Sequence, residues 1–287
     1  MTYPETIQYL ESFINYEKIP AYPYRQSLKL ERIKDFLATI NNPQDNLKCI
    51  HIAGTKGKGS TCAFCAYILR EAGYKVGLYT SPHLSDFRER IRILNPITET
   101  LEPTTDFEGM ISEDQLVDLV EKLKPAIENY NKISKYGPLS FFEVYTALAF
   151  VYFKEREVDF AVLETGLGGR LDATNVVRPL VCAITPISFE HTQKLGNTLR
   201  DIATEKAGII KGKPGIREAG NPVIVISGPQ EKEAQEVIRD KCKEVGAKLY
   251  EIDKDIFYEK IDGGFNVLGI YGEYPCLKIR LLGTHQL

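Results

Sequence analysis

Short apolar runs alternate with amphipathic stretches along most of this chain. Residues 49–53, 75–80, 160–164 and 180–184 are nearly uninterrupted apolar runs, with the length of buried strands. Helical spacing follows each of several turns. Cys62, Ala63, Ala66, Ile68 and Leu69 recur at that spacing before Gly73 stops it. Residues 113–130 carry it too, with Ser112 as the N-cap. Residues 141–152 are apolar all round, which predicts a buried helix. Residues 199–207 predict another helix. Residues 223–226, 231–245 and 248–252 predict one more strand–helix–strand unit. The alternation predicts an α/β protein with a mostly parallel sheet flanked by helices. Residues 265–269 and 277–282 predict a closing β-hairpin, and residues 95–109, with Pro96 and Pro103, a surface loop or hairpin. Residues 1–46 read as one or two helices around a Tyr- and Pro-rich loop at 16–25. They are too few for a core of their own, so they predict an arm packed on one domain spanning 1–287.

Composition adds exclusions. The 287 residues are 43% hydrophobic and 26% charged, which is ordinary globular material. The net charge of -3 offers no general attraction to nucleic acid. No apolar run approaches the roughly 20 residues of a membrane span, and the N-terminus lacks the basic and apolar regions of a signal peptide. A cytoplasmic protein without nucleic-acid or membrane partners is expected. Of six cysteines, Cys49 and Cys182 sit in strand-like runs and read as core. Cys62 and Cys65 match C-x-x-C but lie on a helix without a second pair, so packing is expected there too.

The segment Gly54-Thr55-Lys56-Gly57-Lys58-Gly59-Ser60-Thr61 stands between a predicted strand and a predicted helix. That is the context of a phosphate-binding loop. Three glycines let backbone N–H groups turn toward an anion, and the helix adds its positive end. Lys58 is placed to reach the outer phosphates of ATP, and Ser60 or Thr61 to hold magnesium. Gly59 separates Lys58 from the hydroxyl residues, a departure from the usual order. Glu164 ends an apolar strand and opens a glycine-rich loop, the position of a ligand-binding carboxylate in an open α/β sheet. Magnesium coordination and capping of the loop's own N–H groups both remain open for it. Taken alone, His191 reads as a structural histidine and Lys206 as a solvated helix lysine.

The loop resembles that of folylpolyglutamate and dihydrofolate synthases, within the Mur ligase superfamily. Four further motifs in the same order carry the resemblance: Thr80-Ser81-Pro82-His83-Leu84 with Arg88-Glu89-Arg90-Ile91; Leu163-Glu164 through Thr174-Asn175; Glu190-His191-Thr192 with Leu195-Gly196-Asn197; and Glu205-Lys206-Ala207-Gly208. The resemblance implies the central ATPase domain of that superfamily. It implies ATP-dependent joining of L-glutamate to a folate or dihydropteroate carboxylate through an acyl phosphate. It assigns Ser81 and Glu164, with Ser60, to a first magnesium and His191 to a second. It makes Lys206 a carbamate. Lys58, His191 and Lys206 are the implied catalytic groups, and Ser81, Glu164 and His191 are expected to converge with Glu164 central. Glu190 stands where many relatives have Asp. Phe141-Phe142-Glu143, with Thr146, resembles the segment near the pterin pocket, although an aromatic core stripe accounts for it equally, and Glu143 is not assigned catalysis.

The chain ends at Gly283-Thr284-His285-Gln286-Leu287. In the family this segment leads to a second domain holding much of the glutamate site, about 100–150 residues. The expectation is an incomplete form, a poor ligase, with an apolar docking patch near Leu281, Leu282 and Leu287; the full-length protein is expected to be a monomer. A nucleotide-binding module without ligase activity and another Mur-type amino-acid ligase are the alternatives. Dihydrofolate synthesis, polyglutamate extension and both together stay open.

Overall fold

The computed structural model describes residues 1–96, 107–212, 222–262 and 264–278. Most of the expected loop at 95–109, the second half of the expected hairpin strand and the patch at Leu281, Leu282 and Leu287 lie outside them. Seven strands form one sheet: β1 (Cys49–Ala53), β2 (Val76–Tyr79), β3 (Ile91–Leu94), β4 (Phe160–Glu164), β5 (Val181–Ile184), β6 (Ile224–Ser227) and β7 (Lys248–Glu251). Their order is β3-β2-β4-β1-β5-β6-β7, parallel except for β3. β1 is therefore central, and its carboxyl end opens between the ends of β4 and β5. Ligands of open α/β sheets bind at such an edge.

Helices cover both faces because the inner strands are apolar on both sides. α4 (Lys58–Glu71) packs Cys62 and Ala66 on Ile52, Leu78 and Val162. On the opposite face, Tyr79, Ala161 and Leu163 meet α5 (Glu113–Ile133) and α6 (Phe141–Glu155). Twelve residues of α6 are buried, as its uniform apolarity requires. The N-terminal segment forms three helices rather than one or two: α1 (Tyr3–Glu11), α2 (Tyr24–Ser27) and α3 (Leu30–Thr39). Leu10, Ile33, Phe36 and Leu37 join the same core as α5 and α6. Past the sheet's centre, α7 (Thr192–Leu195), α8 (Leu199–Ala207) and α9 (Lys232–Val245) pack with Cys182, Ile184 and Val225.

Three strands differ from expectation. β3 has no continuous apolar run to announce it, because Arg92 interrupts its apolar residues. That side chain reaches sideways, donating to Glu108 O at 2.7 Å and Tyr67 OH at 2.8 Å. The closing hairpin is instead a three-stranded antiparallel sheet of β8 (Phe257–Ile261), β9 (Gly264–Gly269) and β10 (Gly272–Leu277). β9 turns through Ile270 and Tyr271 directly into β10, since Gly269 pairs with Gly272. Its partner therefore runs up to Leu277, which pairs with Phe265. Cys49, Cys62 and Cys182 are buried. Among the described residues, no helix is long and apolar enough to cross a membrane.

Candidate active site

β1 delivers the chain into the glycine-rich loop beside the end of β5. Gly54 has φ +150°, and a Cβ there would lie 1.8 Å from Thr185 Oγ1, so only glycine allows the two segments to pass. Gly57, at φ +81°, turns the chain into α4. Lys58 begins that helix and its Nζ donates to Thr55 O at 3.3 Å, across the loop. Lys56 and Gly57 are exposed. Two hydroxyls of the segment are engaged by protein. Thr55 Oγ1 donates to Ser188 O at 3.2 Å and accepts from Ser188 N at 3.1 Å. Thr61 Oγ1 donates to Gly57 O at 2.8 Å. Ser60 has no hydrogen-bond partner among the described residues, which separates it from Thr61 as a candidate metal ligand.

Glu164 closes β4 and is 5% exposed. It accepts from Ser81 N at 3.1 Å. A methyl group on Gly59 would sit 3.5 Å from its Oε2, so the carboxylate lies against the first turn of α4. Burial pushes its carboxyl up to about 7, against the opposing pull of the Lys58 ammonium. Ser81 Oγ is buried without a partner.

Lys206 sits in the last turn of α8, 3% exposed, and its Nζ donates to Gly54 O at 2.6 Å. Burial, then the nearby Lys58 charge, lowers its ammonium to about 8, while Glu190 acts the other way. His191 precedes α7 at φ +52°, with Nε2 at 4.0 Å from Glu190. Burial lowers its pKa, and the Lys194, Lys206 and Lys58 charges add to that.

Two cavities meet here. One of about 230 Å³ is lined by His191, Ser81, Phe142, Tyr22, Glu17 and Asp172, among others. A second, of about 770 Å³, is lined by Ser60, Ser81, Glu164, Phe64, Tyr67 and Arg92, among others. Ser81 borders both. It lines the first with His191 and the second with Ser60 and Glu164, and its N–H donates to the Glu164 carboxylate.

No family model matches the chain. Individual proteins do. It is 39% identical over 263 residues to the dihydrofolate synthase/folylpolyglutamate synthase of Bacillus subtilis, covering 90% of this chain and 56% of that protein. The crystal structure of the folylpolyglutamate synthase of Thermotoga maritima superposes with a TM-score of 0.80 at 37% identity, covering 99% of this chain and 58% of that one. A folylpolyglutamate synthase complex with AMPPCP and folate gives 0.81 at 32% identity, covering 100% and 64%. This chain belongs to the folylpolyglutamate and dihydrofolate synthase family. It spans between 26% and 61% of the length of these curated relatives, 56% for the Bacillus subtilis protein.

Within this synthase-family chain, the groups around Ser81 suit magnesium. Ser60 and Ser81 offer hydroxyls without internal partners, and Glu164 offers a carboxylate with one donor on it. These are hard oxygen donors, few enough to leave room for the waters magnesium retains. Among the described residues no three His, Cys, Asp or Glu side chains cluster as a metal group. Lys206 as it stands is a donor and not a ligand. Glu143 has a structural role: Arg32 Nε donates to both its oxygens, at 2.8 and 2.9 Å, and Ser140 caps α6 through it. One acid went without a role at the sequence level. Asp172, buried beside the first cavity, accepts from Leu167 N at 2.9 Å and Thr174 N at 3.0 Å. Its place in the Leu171-Asp172-Ala173-Thr174 turn, after a glycine-rich loop, was the available signal.

Proposed function

We propose that the protein is an ATP-dependent ligase that joins L-glutamate to the carboxylate of a folate or dihydropteroate. One observation carries the reading: the partnerless Ser81 hydroxyl and the buried Glu164 carboxylate border one cavity with Ser60, and Glu164 lies against the first turn of the helix that follows the glycine-rich loop. The family relationship supports it, as do the AMPPCP and folate in a related complex.

In this reading the N–H groups of the 54–60 segment and the start of α4 receive the phosphates of ATP. Lys58 draws the γ-phosphate toward the attacking carboxylate and offsets charge as the carboxylate–phosphorus bond forms, the bond to the β-phosphate breaks and ADP leaves. The amine of glutamate then displaces phosphate. Ser60, Ser81 and Glu164 would hold one magnesium ion and His191 a second, supplying charge neutralisation for the transferring phosphoryl group. Lys206 serves as a carbamate, for which its lowered pKa provides the neutral amine. The first cavity takes the bicyclic head of the acid between Tyr22 and Phe142, with Glu17 and Asp172 as acceptors. The protein works as a cytoplasmic monomer.

The test is phosphate release from ATP by the purified chain with L-glutamate and, side by side, dihydropteroate, tetrahydrofolate and a muramyl nucleotide. Release that needs both glutamate and a pteroyl acid is expected, at the low rate of a poor ligase. ATP binding without glutamate-dependent release favours the nucleotide-binding alternative, and release with the muramyl nucleotide alone rules the pteroyl reading out.

A further inference from the structure

His51 is fully buried on β1, three residues before Gly54, and nothing in the reading above uses it. Its Nε2 lies 2.8 Å from Thr174 Oγ1, and its Nδ1 is buried with no partner. The Thr174 hydroxyl donates to Asp172 Oδ1, the oxygen that also accepts from Thr174 N. These contacts set the direction of the chain. A hydroxyl has one hydrogen. Asp172 receives it, so the Thr174 oxygen accepts from His51, and His51 carries its proton on Nε2. The reverse direction would bury an Nδ1–H without an acceptor, which is costly. It would also need a proton on Asp172, whose two oxygens face the N–H groups of Leu167 and Thr174.

We propose that His51 and Thr174 are positioning residues: they hold Asp172 as an oriented acceptor, and with it the 166–172 turn that walls the first cavity. Gly166, Leu167, Leu171 and Asp172 all line that cavity. The relay ties this wall to β1, the strand that ends in the glycine-rich loop, across 123 residues of sequence. The wall on which the acid rests is thereby fixed relative to the loop on which the nucleotide rests. The inference depends on the first cavity being the site of the pteridine head. It predicts an effect on that ligand and none on the nucleotide.

Calorimetry on the full chain, with pteroic acid and separately with AMPPCP, compares wild type with Thr174→Val and Thr174→Ser. Valine keeps the shape and breaks both links, whereas serine keeps the hydroxyl. Pteroic acid affinity is expected to fall about tenfold in Thr174→Val and to return in Thr174→Ser, with AMPPCP affinity unchanged throughout. Unchanged pteroic acid affinity in Thr174→Val, or an equal loss for both ligands, overturns the relay. Absence of pteroic acid binding by the wild type overturns the cavity assignment, and the relay with it. If Thr174→Val does not fold, the 15N spectrum of His51 in the wild type decides: an Nε2–H tautomer supports the relay and an Nδ1–H tautomer overturns it.

Discussion

Two buried regions beside the cavities use a cation, a carboxylate and a serine hydroxyl in opposite ways. Where α3 meets the start of α6, Arg32, Glu143 and Ser140 are paired with one another. Arg32 Nε donates to both Glu143 oxygens, and Ser140 Oγ donates to Glu143 Oε2 at 2.7 Å. Where the strand ends meet the glycine-rich loop, Lys206, Glu164 and Ser81 are not. Lys206 Nζ holds only a carbonyl, Glu164 accepts one backbone N–H, and Ser81 Oγ has no partner. A buried charge without a partner shifts toward neutrality. Burial moves Glu164 up to about 7 and Lys206 down to about 8. The first region is arranged to hold the fold, and the second to receive a charged ligand.

The glutamates give the sharpest test. Glu164→Gln is expected to lower ATP- and glutamate-dependent phosphate release by roughly 10²–10³-fold without lowering the melting temperature, since an amide is easier to bury than a carboxylate. Glu143→Gln is expected to do the reverse. It strands Arg32 and costs about 3–5 kcal/mol by urea denaturation, while the folded fraction keeps its affinity for AMPPCP. A Glu164→Gln protein that loses stability and keeps turnover would erase the distinction.

The cations come next. Lys206 with a pKa near 8 is neutral in about a tenth of molecules at pH 7. Raising the pH toward 8 increases that fraction, and only the neutral amine takes up carbon dioxide. Turnover in carbon-dioxide-free buffer is expected to fall several-fold, to recover with bicarbonate, and to recover more fully at pH 8 than at pH 6.5. Lys206→Ala is expected to be inactive, insensitive to bicarbonate and partly restored by short carboxylic acids. Activity indifferent to carbon dioxide and unrescued in that variant removes the carbamate from the mechanism.

The paired region was the harder one to read from the sequence. Strands β1, β2, β4 and β5 are legible because parallel strands buried on both faces are short apolar runs, and α6 because residues 144–153 are apolar or aromatic all round apart from Thr146. The glycine-rich loop is legible because its chemistry lies in consecutive residues. Arg32 and Glu143 are 111 residues apart, and His51 and Thr174 are 123 apart. No local pattern marks such partners. Side-chain direction was equally hidden. Thr55 and Thr61 belong to the loop by position, yet both hydroxyls bind protein, and only Ser60 keeps its own free. β8 escaped notice because Phe257, Tyr258 and Glu259 are all exposed, so no buried face imposes an alternation.

The serines carry the smallest expected effect and the finest discrimination. Ser140 accepts from Glu143 N at 3.4 Å and donates to its carboxylate, so it is the N-cap of a buried helix. Ser140→Ala is expected to cost about 1 kcal/mol in chemical denaturation. Ser81 makes no side-chain hydrogen bond, and its hydroxyl is enclosed. Removing a buried hydroxyl without a partner relieves a desolvation cost instead of breaking a bond. Ser81→Ala is therefore expected to leave stability unchanged or raise it by up to about 1 kcal/mol. Its effect belongs with the metal: AMPPCP binding in Ser81→Ala is expected to need several-fold more magnesium than in the wild type, whereas Ser140→Ala shows no such shift. The two readouts must separate. If Ser81→Ala destabilises the fold as Ser140→Ala does and leaves the magnesium dependence alone, Ser81 belongs to the scaffold, and the unpaired side of the comparison reduces to Glu164 and Lys206.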